Sequence, residues 1–64
     1  MDAKVELGGK EHTASVGIAI GDAVRSIGYA PDAFIFMVNG RPVPMDMPVA
    51  DGMIIKAIKV ASGG

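Results

Sequence analysis

Apolar and polar residues alternate over residues 3–7, so that every second side chain falls on the same side of the backbone. This two-residue period is typical of a half-buried β-strand. Gly8 and Gly9 follow, and a glycine pair is a favoured hairpin turn. Residues 11–16, which are rich in Thr, Ser and Val, form a weaker strand pattern. The chain is therefore predicted to begin with a β-hairpin.

The period then changes to three and four residues, which is typical of an amphipathic helix. Four apolar residues fall on one helical face: Ile20, Ala23, Val24 and Ile27. Gly28 suits the position after the helix, and Pro31 blocks its continuation. Residues 17–19 offer no side chain that could cap the first turn, so the start of the helix is poorly marked.

The longest apolar run, residues 33–38, predicts the strongest strand. A continuous run means that both faces are covered, or that one face is kept for a partner. Asn39-Gly40 predicts a tight turn. Residues 41–44 contain two prolines, which lack the N–H that a strand donates to its neighbour, so only a short edge strand is expected there.

The remaining residues complete a recognisable order of elements. A loop is predicted over residues 45–50, and a last strand over residues 53–60. Neither a helix nor a sheet can bury its apolar side alone, so the helix must pack on one face of the sheet. The order indicates an α+β fold of the β-grasp (ubiquitin-like) type, with four to five strands in a mixed sheet. Its first and last strands are expected to lie parallel at the centre.

Composition narrows the chemistry that this chain can support. The chain has 64 residues, no Cys and one His, which excludes a disulfide framework, a thiolate zinc site, a cysteine nucleophile and a histidine metal cluster. A net charge of −1 and 5% aromatic residues argue against a nucleic-acid partner, which needs a basic surface and stacking rings. So small a domain leaves little room for an enclosed substrate cleft. A binding or carrier module is expected rather than an enzyme.

Half of the residues are hydrophobic, yet nothing in their arrangement predicts a membrane partner. No apolar run approaches the roughly 18 to 20 residues that span a bilayer. No charged segment precedes an apolar stretch, as it does in a signal peptide. We expect a soluble, cytoplasmic protein with one domain over residues 1–60 and a flexible tail over residues 61–64.

A longer pattern runs through the second half of the chain. It consists of residues 38–44 (VNGRPVP), residues 49–52 (VADG) and a strand followed by the terminal Gly63-Gly64. Taken together, these motifs and their spacing resemble the ThiS/MoaD sulfur carriers and, more closely, the small archaeal ubiquitin-like modifier proteins. The resemblance covers residues 20–64, while the preceding residues agree only as a predicted hairpin.

The resemblance implies a use for the end of the chain. In this family the C-terminal carboxylate, here that of Gly64, is activated by an E1-like adenylating enzyme. That partner uses its own ATP and magnesium, so no cofactor is expected on this chain. Gly63 and Gly64 have no side chains and can enter a narrow catalytic channel.

Two fates are implied for the activated terminus. It becomes a thiocarboxylate that donates sulfur to an acceptor enzyme, as in thiamine, molybdopterin or tRNA thiolation, or it is joined to lysines of target proteins. The alternative from a different class is a β-grasp interaction module whose tail is frayed and without function. Tail truncation distinguishes them, because only a carrier or modifier loses its function.

The resemblance also implies which side of the sheet stays open. It places Ile55 and Ala57 under the helix, and the same alternation puts Phe34, Phe36 and Val38 inside. The open face would then carry the residues expected to dock the partner: Ile35, Met37, Lys56, Ile58 and Val60. Exposed apolar patches usually mark interaction sites. The alternatives are that self-association covers this face, or that the alternation is reversed.

Two smaller features complete the sequence analysis. His12 stands alone, without a partner at ligand spacing, and is interpreted as a surface or turn residue rather than a catalytic one. Three methionines, Met45, Met47 and Met53, form either an adaptable contact surface or a cap on the core.

Overall fold

Five strands, one α-helix and a short 3-10 turn follow each other along residues 2–60. In the computed structural model, which describes residues 2–60, the elements are β1 (Asp2–Leu7), β2 (Lys10–Ser15), α1 (Ile20–Ile27), the 3-10 turn (Pro31–Ala33), β3 (Phe34–Val38), β4 (Arg41–Val43) and β5 (Ile54–Lys59). The predicted strands differ from these bounds by one residue, at one end for β1, β3 and β4 and at both ends for β2 and β5. The 3-10 turn was not predicted, and Ala33 closes it by donating its N–H to the carbonyl of Ala30 (3.0 Å).

The sheet has the strand order β2-β1-β5-β3-β4. β1 and β5 run parallel side by side, whereas the other neighbouring pairs are antiparallel. The predicted parallel pairing of the first and last strands is confirmed, and with it the β-grasp arrangement of an α+β domain. The predicted tail, residues 61–64, lies outside the described residues.

The core lies between α1 and one face of the sheet. Its buried members come from the strands, from the helix and, in the case of Val49, from the loop between β4 and β5: Ala3, Val5, Leu7, Ala14, Ile20, Ala23, Val24, Phe36, Val49, Ile55 and Ala57. The predicted inward alternation is therefore confirmed for Phe36, Ile55 and Ala57. Phe34 and Val38 pack, partly buried, against this core. The reversed alternation is excluded.

The start of α1 is held by a loop rather than by a side chain. Ala19 occupies the cap position and makes no side-chain hydrogen bond there. Instead, the N–H of Ile20 donates to the carbonyl of Met47 (2.9 Å), and the N–H of Gly21 donates to the carbonyl of Met45 (2.7 Å). The first N–H groups of a helix have no partner within it, so the loop after β4 supplies the missing acceptors.

The structure places two of the three methionines at the core and leaves the third exposed. Met47 and Met53 pack against the core and complete it. Met45 is 38% exposed and lies over the first turn of α1.

Among residues 2–60, the structure contains no helix with the length and apolar character that a membrane span requires.

The predicted tight turn between β3 and β4 is present. Asn39 and Gly40 have φ angles of 54° and 76°. A two-residue hairpin loop with both angles positive is a type I′ turn, which asparagine followed by glycine favours. The turn sets the register of β4 against β3, with Met37 opposite Pro42.

Candidate functional site

The face of the sheet that points away from α1 carries the three most exposed large apolar side chains of the described residues. Ile54 and Ile58 of β5 are 53% and 52% exposed, and Ile35 of β3 is 47% exposed. Isoleucine is usually buried, so three half-exposed isoleucines on one small sheet are a distinctive feature. We call this surface, with Met37 and Lys56, the open face.

The strand register brings these side chains together. Ile35 lies directly opposite Ile58, and Met37 lies directly opposite Lys56, in the antiparallel β3–β5 pair. Side chains in such positions are roughly 5 Å apart at Cβ and contact one another across the sheet. The open face is therefore a continuous patch in which Lys56 lies between Ile54 and Ile58 along β5 and opposite Met37 in β3.

Four of the five residues predicted to dock a partner thus lie side by side, namely Ile35, Met37, Lys56 and Ile58. Val60, the fifth, follows the end of β5 and is half-buried. Its N–H donates to the carbonyl of Ala33 (3.0 Å), which fixes the backbone at the point where the described residues end. Gly63 and Gly64, the predicted activated terminus, lie outside those residues.

Ile54 shares the alternation of Lys56 and Ile58, but it was not among the predicted docking residues. It is the most exposed large apolar residue described in the structure. Its position at the start of β5 extends the apolar patch toward the Asp51-Gly52 turn. The same two-residue period that selected Ile58 was the signal that could have found it.

Charged residues of β1 and β2 border the apolar patch. Glu6 lies beside Lys56 in the parallel β1–β5 pair and directly opposite Glu11 in the β1–β2 pair. Lys4 bonds Glu11 through its Nζ at 3.5 Å from Oε1. Among residues 2–60, neither Glu6 nor Lys56 forms an ion pair. A partner that places a basic side chain near Glu6 and an acidic side chain near Lys56 can therefore bind both residues without first breaking an ion pair.

A shallow, solvent-open depression beside the hairpin turn is lined by Glu6, Gly8, Gly9, Lys10, Glu11, Lys56 and Ala57. Such an open site does not exclude water from a substrate. Within residues 2–60, no group of His, Asp and Glu side chains is arranged to hold a metal ion.

The interpretation of His12 as a surface or turn residue is wrong. The residue lies in β2 on the helix side of the sheet and is half-buried. Its ring meets that of Tyr29 edge-on, with centroids 6.3 Å apart. Its Nε2 atom is buried and has no hydrogen-bond partner among residues 2–60. The weak apolar pattern of β2 concealed that this position faces inward.

Residues 1–60 match the model of a protein family described as small archaeal modifier protein 2. The match includes the first hairpin, β1 and β2, which lies before the residues 20–64 covered by the motif resemblance. It also includes both strands that form the open face.

Proposed function

Because this chain belongs to the small archaeal modifier protein 2 family, we propose that it is a ubiquitin-like modifier whose Gly64 carboxylate is adenylated by an E1-like partner enzyme. The family is one of protein modifiers. In this proposal the chain is the carried group and not the enzyme. ATP and magnesium are held by the partner.

The chemistry follows from the weakness of a carboxylate as an electrophile. A carboxylate oxygen of Gly64 attacks the α-phosphorus of ATP, pyrophosphate leaves, and an acyl adenylate forms. A lysine amine of a target protein then attacks the carbonyl carbon, loses a proton and expels AMP, which leaves an amide bond. Glycine at the last two positions lets the backbone approach the catalytic groups closely.

The observation that carries this proposal is the continuity of β5 with the chain end. The strand that presents Ile58 on the open face leads directly to Gly64, six residues later. Six extended residues reach about 20 Å. A partner that binds the open face therefore has the terminus within reach of an active site next to its docking surface.

Sulfur transfer is a second outcome of the same activation. Hydrosulfide that attacks the carbonyl carbon of the acyl adenylate, expels AMP and loses its proton produces a thiocarboxylate at Gly64 in place of the amide bond. The terminal Gly63-Gly64, which the sulfur carriers share, favours this outcome as an additional role. A module whose tail has no function requires neither product.

Mass spectrometry of the protein recovered from its own cells tests the proposal. A terminus joined to target lysines through Gly64 identifies a modifier. A free form heavier by the difference between sulfur and oxygen identifies a sulfur carrier. A chain that lacks only Gly64 is the control and should form neither product while keeping its fold. If only the unmodified chain is found, under sulfur-limited and stressed growth alike, the proposal fails.

A further inference from the structure

The two edges of the sheet differ in their capacity to pair with another strand. β4 has three residues, one of which is Pro42, and Pro44 follows it. Proline has no N–H to donate, so this edge is blunted. β2, at the other edge, has six residues and no proline. An edge of this kind is a template for a further strand.

One hydrogen bond shows which backbone groups of β2 point outward. The N–H of Lys4 donates to the carbonyl of Met53, on the β5 side of β1 (2.9 Å). The N–H and C=O of one strand residue point toward the same neighbouring strand. Both groups of Lys4 therefore point toward β5, and Lys4 makes no ladder hydrogen bond with Thr13, which lies opposite it in β2. The N–H and C=O of Thr13 therefore point away from β1. The pattern repeats every second residue, so Glu11 and Ser15 do the same.

A second hydrogen bond gives the same assignment. The carbonyl of Asp2 accepts the N–H of Gly52 on the β5 side (3.1 Å), although Asp2 lies opposite Ser15 of β2. The edge of β2 thus presents outward N–H and C=O groups from three residues, all of them exposed: Glu11, Thr13 and Ser15.

We propose that a second copy of this chain pairs along this edge, β2 antiparallel to β2, with the twofold axis at Thr13. A twofold axis perpendicular to the sheet keeps the helices of both copies on the same side. It places Thr13 opposite its counterpart, and Glu11 opposite Ser15 of the second copy. All outward N–H and C=O groups of both strands then form ladder hydrogen bonds.

Neighbouring registers are less favourable. An axis at His12 places Ser15 opposite Gly9, which lies before β2, so the outward N–H and C=O of Ser15 have no partner in the ladder. An axis at Glu11 places two carboxylates directly opposite each other, which is destabilising. The Thr13 register also brings no like charges together across the new ladder.

The side chains fit this register on both faces. Threonine opposite threonine is a favourable cross-strand pair, and the Ser15 hydroxyl can donate to the Glu11 carboxylate opposite it. On the helix side, His12 lies opposite the small Ala14. Val16, which follows β2 and is 42% exposed, lies opposite Lys10 and is covered by its aliphatic stem.

The pairing leaves the open face uncovered, so it is independent of the proposed function. It joins the two five-stranded sheets into one of ten strands. A ladder this short buries less than a standard interface, so the association is weak and depends on concentration. A partner with two binding sites would gain avidity from the paired copies.

Sedimentation velocity across a concentration series tests the pairing. Thr13→Pro removes the outward N–H at the axis but no bond of the β1–β2 ladder. We expect self-association at least about tenfold weaker than in the native chain, through two lost hydrogen bonds and the clash of two proline rings. Thr13→Val keeps the N–H and the β-branched shape, so this matched control should associate like the native chain.

Amide exchange on the native chain gives a second readout, which does not depend on how a variant folds. Protection of the Glu11, Thr13 and Ser15 amides should rise with protein concentration, while that of His12 should stay constant. A chain that is monomeric at millimolar concentration overturns the proposal. So does self-association that Thr13→Pro leaves unchanged, or concentration-dependent protection confined to the open face.

Discussion

Gly21 of α1 lies against Met45 of the loop that follows β4, and its N–H donates to the Met45 carbonyl at 2.7 Å. A Cβ atom added at Gly21 would lie 3.3 Å from both the Cβ and the carbonyl oxygen of Met45. The close approach of the Met45 backbone, which caps the helix, thus favours a residue without a side chain at position 21. Glycine within a helix is roughly 1 kcal/mol less favourable than alanine, and the capping contact offsets this.

The Gly21–Met45 contact predicts that Gly21→Val destabilises the protein. Valine is a better helix former than glycine, so helix propensity alone would raise the free energy of unfolding. The added methyl groups instead push the loop away, and we expect a loss of about 1–3 kcal/mol in urea denaturation. Gly21→Ala should give a smaller change, because it adds a single carbon. A gain in stability with Gly21→Val would show that the loop yields freely.

The contact between Gly21 and Met45 could not be predicted from the sequence, whereas the buried sides of two strands could. The alternation over residues 34–38 and 53–60 gives the buried and open sides of β3 and β5, because a two-residue period follows directly from strand geometry. The acceptors for the Ile20 and Gly21 amides come from the backbone of residues more than twenty positions away. Any residue type has a carbonyl, so no motif could show that this loop caps the helix.

The inward position of His12 escaped prediction for a different reason. β2 contains one fully buried residue, Ala14, so its apolar period is too weak to assign sides. The partner strand settles the matter, since Val5, which lies opposite His12, is completely buried. The register between β1 and β2 is a tertiary property. It places His12 on the helix side of the sheet, which the residues next to His12 in sequence do not indicate.

Ile54 and Ile55 should differ sharply when each is replaced by alanine. Ile55 is 0% exposed and Ile54 is 53% exposed, although they are adjacent in β5. Ile55→Ala should lower the free energy of unfolding by about 2–5 kcal/mol, through lost burial and the cavity that remains. That is a large share of the total stability of about 5 kcal/mol typical of a marginal small domain.

Ile54→Ala is the matched control, with an expected loss below about 1 kcal/mol. Chemical denaturation of both variants measures the difference. Equal losses would contradict the assignment of the two sides of β5.

Ile58→Asp should disrupt partner binding without disrupting the fold, if the open face docks the adenylating enzyme. The residue is 52% exposed, so a carboxylate there remains hydrated in the free protein. In the complex it would be buried against an apolar surface, and we expect binding at least about tenfold weaker. The affinity of the variant for the adenylating enzyme is the measurement.

Ile18→Asp is the control for this effect, since Ile18 is 37% exposed but lies before α1 and away from the open face. It should bind like the native chain. Thermal unfolding should show that both variants are folded. If the two substitutions weaken binding equally, the open face is not the docking surface.

His12→Phe should stabilise the protein. The buried Nε2 atom of His12 has no hydrogen-bond partner in the described part of the chain, and a buried polar atom without one is destabilising. Phenylalanine removes that atom and keeps a ring that can meet Tyr29 edge-on, as His12 does at 6.3 Å. We expect the free energy of unfolding to rise by about 1 kcal/mol, measured by urea denaturation. His12→Gln, which keeps polar atoms at a similar distance from the backbone, should give no such gain. If His12→Phe is no more stable than His12→Gln, the unpartnered Nε2 is not a source of instability.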